Sequence, residues 1–260
     1  MQRIVRAAIN ATLPGGRTHT YFTTNPWEAE MREQFRDFAD TLAGRAVVDS
    51  DHVRASSLLR LVNARYSARY AVPALPIVAR EATQVLMEAG RWQSGFPNLL
   101  TATADETVSI AATVQTILSR VEPLGIPQPY SVLTKWLHFC FPDTFVIFDS
   151  QAAKSLTRSA DHLYAHVGKQ HPLRRRFRSV VTGARGGSGY IEFLHFYQEC
   201  WEAARTANLT RDWEDAAARM EVLQHEAHGT GQSHVSILDV LDKHLWMADG
   251  NHTRLGLTVE

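Results

Sequence analysis

The stretch PLGIPQPYSVLTKWLHFCFPDTFVIFDSQAAKSL, residues 123–156, carries the densest structural punctuation in the chain. Pro123 and Gly125 stop the apolar-periodic run before them, and a Gly/Pro turn follows. From Pro127 to Phe141 the residues read as a second helix, with Lys135 in its first turns and Pro142 at its end. An extended apolar run, Phe145 to Phe148, then delivers Asp149 to the start of a further helix through Ala153 to about Leu156. There a carboxylate satisfies backbone N–H groups that the helix itself leaves unpaired. Lys135 and Asp149 thus sit on separate elements tied by a short connection, an order that lets an amine and a carboxylate converge on one cleft.

Working outward, helical signals recur on both sides. Asn25 followed by Pro26 marks a start, and Met31, Phe35, Phe38 and Leu42 repeat at helical spacing until Gly44, giving a first helix over about 26–43. Ser50 and Asp51 can cap a second, with Leu58, Leu59, Leu61 and Val62 as its apolar stripe. Pro76 to Ala89 reads as a third helix closed by Gly90, and Arg91 to Thr103 as an ordered loop with Gly95 and Pro97. Thr103 can cap the run Ala104 to Arg120. Beyond a Gly-rich stretch at 183–189, helices are expected over Tyr190 to Thr206, about 211–227, and from Ser233 to about Met247. The tail Arg254 to Val259 alternates weakly, as a short strand would. Strand-like runs are otherwise few, the best being Thr144 to Phe148, so the expected class is mainly α. No linker divides the chain, and residues 1–260 are read as one helical domain.

With 260 residues and 45% hydrophobic content the chain can fill a core without covalent staples. Its two cysteines, Cys140 and Cys200, fall in amphipathic runs and read as buried reduced thiols, which fits a reducing cytoplasm. The N-terminal segment has arginines but no long apolar core, and no run approaches the ~18 residues that a membrane span needs. Neither secretion nor membrane insertion is expected. Formal net charge is zero, which excludes coating of nucleic acid by charge alone. Charge is nonetheless sided: residues 150–189 hold eight basic residues against Asp161 alone. Lys154, Arg158, Lys169, Arg174, Arg175, Arg176 and Arg178 dominate that stretch and suit a polyanion-facing surface, although a solvated arginine-rich loop would read the same.

The hairpin, its lysine and the run Pro142-Asp143-Thr144-Phe145-Val146-Ile147-Phe148-Asp149 together resemble the helix-hairpin-helix DNA glycosylase superfamily, and within it the bacterial 8-oxoguanine DNA glycosylase-like branch. The resemblance implies a two-lobed helical fold with the cleft between lobes. It implies that Lys135 attacks the sugar anomeric carbon as the base leaves, giving a Schiff base with β-lyase strand cleavage, and that Asp149 stabilises developing positive charge and helps activate the nucleophile. An amine attacks only when neutral, a form favoured in apolar surroundings such as Trp136, Leu137 and Phe139 would supply. The partner implied is duplex DNA with a flipped base, here a damaged purine. Where the family carries Gly-x-Gly, this hairpin has Pro127 and Pro129, which remove two backbone donors, so the phosphate grip would pass to the arginine cluster. No four-cysteine set suggests an iron–sulfur cluster, and no cofactor is expected.

His138, three residues after Lys135, can shuttle protons beside it or simply pack with one ring nitrogen satisfied. His162 with His166, and His225 with His228, have metal-sharing spacing but no third ligand nearby, so no metal site is expected. Tyr190, Phe193, Phe196, Tyr197 and Trp201 recur at core spacing first and as a base-stacking platform second. Two other functions stay open: a catalytically diverged nucleic-acid-binding or defence-associated effector on the same scaffold, and a helical scaffold with no nucleic-acid role.

Overall fold

A computed structural model of the protein describes residues 1–25, 27–66, 70–126, 129–148, 155, 158, 188–228, 234–248 and 254–256. Asp149, Lys154, Lys169, Arg174, Arg175, Arg176 and Arg178 lie outside these, as do His162 and His166. The described residues are mainly helical and contain no strand. In chain order the helices are α1 (Gln2–Ala11), α2 (Arg17–Thr24), α3 (Trp27–Ala43), α4 (Asp49–Arg65), α5 (Leu75–Glu88), α6 (Arg91–Ser94), α7 (Ala104–Val121), α8 (Tyr130–Cys140), α9 (Ser188–Thr206), α10 (Thr210–His228) and α11 (Ile237–Ala248).

Contacts divide the chain into two compact units, one of residues 1–30 with 148–260, the other of residues 31–147. In the first unit α1 and α2 pack against α9, α10 and α11. Phe148 leads into it, its ring edge-on to Tyr190 and Phe193 with centroids 6.4 and 5.6 Å away. Tyr190, Phe193, Phe196 and Tyr197 are buried, so the aromatic stripe of α9 is core. α11 starts from a reciprocal cap: the Ser236 N–H donates to Asp239 Oδ2 at 2.9 Å, and the Asp239 N–H donates to Ser236 Oγ at 3.1 Å.

In the second unit α4 packs on α5 and α8, and α5 on α7. Its core is aromatic: Phe38, Trp92 and Trp136 meet edge-on with centroids 5.6 to 6.2 Å apart. Thr103 and Glu106 form the box that starts α7, the Glu106 carboxylate accepting the Thr103 N–H at 2.7 Å.

Several local expectations need correction. Residues 2–11 and 17–24 are helices as well; for the first, Ile4, Val5 and Ala8 form one buried face at helical spacing. α4 begins before Ser50, at Asp49, because Asp51 acts from the third position, its Oδ2 accepting the Val48 N–H at 2.9 Å. The loop 91–103 holds the short helix α6 and a 3-10 turn at Leu99–Thr101, opened by the Asn98 side chain accepting the Leu100 N–H. Thr144 to Phe148 forms no strand: the Thr144 and Phe145 N–H groups both donate back to the Phe141 carbonyl, and Arg254, Leu255 and Gly256 form a turn. Gly256 takes φ +77, which a strand does not tolerate.

Candidate functional site

The hairpin is formed by α7, a 3-10 turn at Glu122–Leu124, Gly125 and α8. Gly125 adopts φ 70, the left-handed conformation that lets the chain leave a helix end and reverse. Pro129 precedes α8 and contributes no N–H there.

α8 is buried on every side, its polar residues included, from Val132 to Cys140. Thr134, Lys135 and His138 bond within or next to the helix, which offsets their burial, while the buried Trp136 Nε1 has no hydrogen-bond partner among the described residues. The Thr134 hydroxyl donates to the Tyr130 carbonyl at 3.0 Å. Lys135 is 2% exposed; its Nζ donates to Ser131 Oγ at 2.8 Å and stands 5.4 Å from the Tyr66 ring centroid. His138 is 1% exposed, with Nδ1 2.6 Å from the Phe145 carbonyl oxygen, an arrangement in which the ring N–H donates and ties α8 to the segment leading towards Asp149.

Around Lys135 the wall is aromatic and cationic. The Tyr66 and Phe139 rings lie 6.0 Å apart, and the Arg32 guanidinium stands 5.3 Å over Phe139. Burial pushes the Tyr130 hydroxyl up to about 12 and the Cys140 thiol well above its ordinary value, so both stay protonated at neutral pH. That leaves Cys140 a packing residue.

Of the sequence-derived site residues, Lys135 and His138 lie on α8, and Arg158 is exposed on a helical residue of the other unit. Lys135 is brought together with Ser131 and Tyr66, neither of which the sequence singled out. Ser131 carried a readable signal, four residues before the lysine on the same helix; Tyr66, at the end of α4, carried none. Among the described residues no cluster of three metal-ligating side chains exists, and His225 is exposed. No helix of the described residues is long and apolar enough to cross a membrane. No protein family, curated protein or solved structure matches the chain.

Proposed function

We propose that the protein is a DNA N-glycosylase with β-lyase activity, built on the two-lobed helix-hairpin-helix fold and removing a damaged purine such as 8-oxoguanine. The observation that carries this reading is the burial of Lys135 on the second helix of a hairpin, its Nζ held by Ser131. Lysine is seldom fully buried, because taking an ammonium out of water is costly. A buried amine one helical turn from a hydroxyl is a pre-oriented nucleophile.

In this reading the flipped nucleotide presents its anomeric carbon to Lys135 Nζ. The glycosidic C–N bond breaks, the base leaves with the electron pair and takes up a proton, and a bond forms from Nζ to the carbon. Nζ gives up its protons as the sugar ring opens to an imine and a hydroxyl group. β-Elimination then expels the 3′-phosphate. Asp149 is assigned the stabilisation of developing positive charge, and the basic stretch with Lys154, Arg158, Lys169, Arg174, Arg175, Arg176 and Arg178 the phosphate grip.

Incubation with duplex DNA bearing a single 8-oxoguanine tests the assignment. Release of the free base with nicking of the damaged strand is expected, and loss of both in Lys135→Ala. Salt-sensitive binding without base release would assign the diverged effector instead, and neither activity would leave a scaffold.

A further inference from the structure

A cavity of about 320 Å³ lies wholly within the first unit, between the α1–α2 connection, α11 and the turn at 254–256. Arg17 and Arg254 both line it, and no acidic side chain does so among the described residues. Partial desolvation at the cavity wall, and then the nearby Arg254 guanidinium, lower the pKa of Arg17 from its ordinary value. Like charges gathered this way repel, and an anion placed between them relieves the repulsion. No carboxylate pairs with Arg17 among the described residues.

The backbone adds to the same wall. α2 starts at Arg17 from Gly16, with no side-chain cap. A Cβ at Gly16 would stand 2.3 Å from the Ala11 carbonyl oxygen, which excludes every residue whose side chain could cap this helix. The first N–H groups of α2 therefore remain without a cap at a helix end that favours negative charge. Gly256 fixes the opposite wall: its Cβ would meet the Arg3 carbonyl oxygen at 2.4 Å, so the turn carrying Arg254 is seated closely on α1.

A separate observation points into this cavity. His244 lines it, is only 4% exposed, and its Nε2 has no hydrogen-bond partner among the described residues. The ring is also bonded to the backbone of Leu255. Burial holds its pKa down at about 4, with Arg17 adding to the depression, so the ring is uncharged at neutral pH; with its one proton on the nitrogen that donates to Leu255, Nε2 is left as an acceptor. Two guanidiniums, an uncapped helix start and an acceptor nitrogen match an oxyanion that also carries a hydroxyl group.

We propose that this cavity binds a phosphate group, carried either by a small phosphorylated molecule or by the phosphorylated end of a nucleic-acid strand. Arg17, Arg254 and the α2 N–H groups take the charged oxygens, and His244 accepts from a P–OH or a neighbouring sugar hydroxyl.

Isothermal titration of the full chain with inorganic phosphate, at constant ionic strength in chloride, tests this. Saturable uptake of one phosphate per chain is expected, weakened about tenfold in Arg17→Ala and in Arg254→Ala and less in Arg17→Lys. Both arginines are exposed, and an unchanged circular dichroism spectrum and thermal midpoint would show that each variant folds. Displacement of phosphate by a 5′-phosphorylated oligonucleotide but not by its 5′-hydroxyl twin supports the site and assigns a strand end. Displacement by adenosine monophosphate and not by the oligonucleotide supports it and assigns a small phosphate ester. Absence of saturable uptake, or uptake untouched by both alanine variants, overturns the proposal. Lys135→Ala should bind phosphate as the wild type does, which separates this site from the glycosylase reading.

Discussion

The Nζ of Lys135 donates a 2.8 Å hydrogen bond to the Oγ of Ser131, one turn earlier on the same helix. Helix geometry fixes that neighbourhood, so the hydroxyl orients the amine whatever the surrounding loops do. If Lys135 is the nucleophile, Ser131→Ala should slow formation of the borohydride-trapped complex with abasic DNA about tenfold while leaving DNA binding unchanged. Ser131→Thr, which keeps the hydroxyl, should recover most of the rate. An unchanged trapping rate in Ser131→Ala would remove Ser131 from the mechanism.

In the first unit, Lys243 on α11 is 2% exposed, and its Nζ lies 3.3 Å from Glu28 Oε1 and 3.4 Å from Asp242 Oδ2. Its ammonium also stands 4.9 Å from the Tyr21 ring centroid. Removing the cation leaves two buried carboxylates facing each other's charge. Lys243→Met should therefore cost about 3–5 kcal/mol, read as a lower urea midpoint at neutral pH. Adding Glu28→Gln to that variant should recover part of the loss, and additive effects of the two substitutions would contradict the coupling.

His244 gives a stability slope with pH. The buried ring titrates at about 4 when folded, whereas an unfolded histidine titrates at about 6.5. Between those values the unfolded chain binds the extra proton, so the folded state keeps its full stability above about pH 6.5 and loses it as pH falls towards 4. From about pH 7.5 to about pH 5 the wild type should lose on the order of 2 kcal/mol more than His244→Gln, measured by urea unfolding in a phosphate-free buffer. Parallel pH profiles for the two proteins would show that the ring does not carry this penalty.

Trp136 is fully buried and meets Phe35, Phe38 and Trp92, with centroids 6.2 to 6.5 Å away. Trp136→Ala should destabilise the second unit by about 3–5 kcal/mol, seen as a separate early transition in calorimetry. A single unshifted transition would mean that the aromatic cluster does not hold α8 in place.

Much of this architecture was legible because short-range rules dominate it. The apolar spacing of Met31, Phe35, Phe38 and Leu42 marked α3, Thr103 as a cap marked α7, and Gly125 marked the reversal before α8. What escaped depends on partners distant in sequence. Nothing in the residues near Lys135 says that α8 is enclosed on every side, since that follows from packing by α4 and α7. The same holds for Glu28 with Lys243, and for Arg17, His244 and Arg254 around one cavity: each looks like an ordinary polar residue until the fold joins the N-terminal helices to the C-terminal ones. Thr144 to Phe148 misled for the opposite reason, because alternation and bulk mimic a strand in a segment that is buried but forms none.

Borohydride reduction of the protein mixed with an abasic-site duplex decides whether Lys135 is the nucleophile. A covalent protein–DNA complex is expected with the wild type and with Arg17→Ala, and none with Lys135→Ala. A complex formed in undiminished yield by Lys135→Ala would contradict that role.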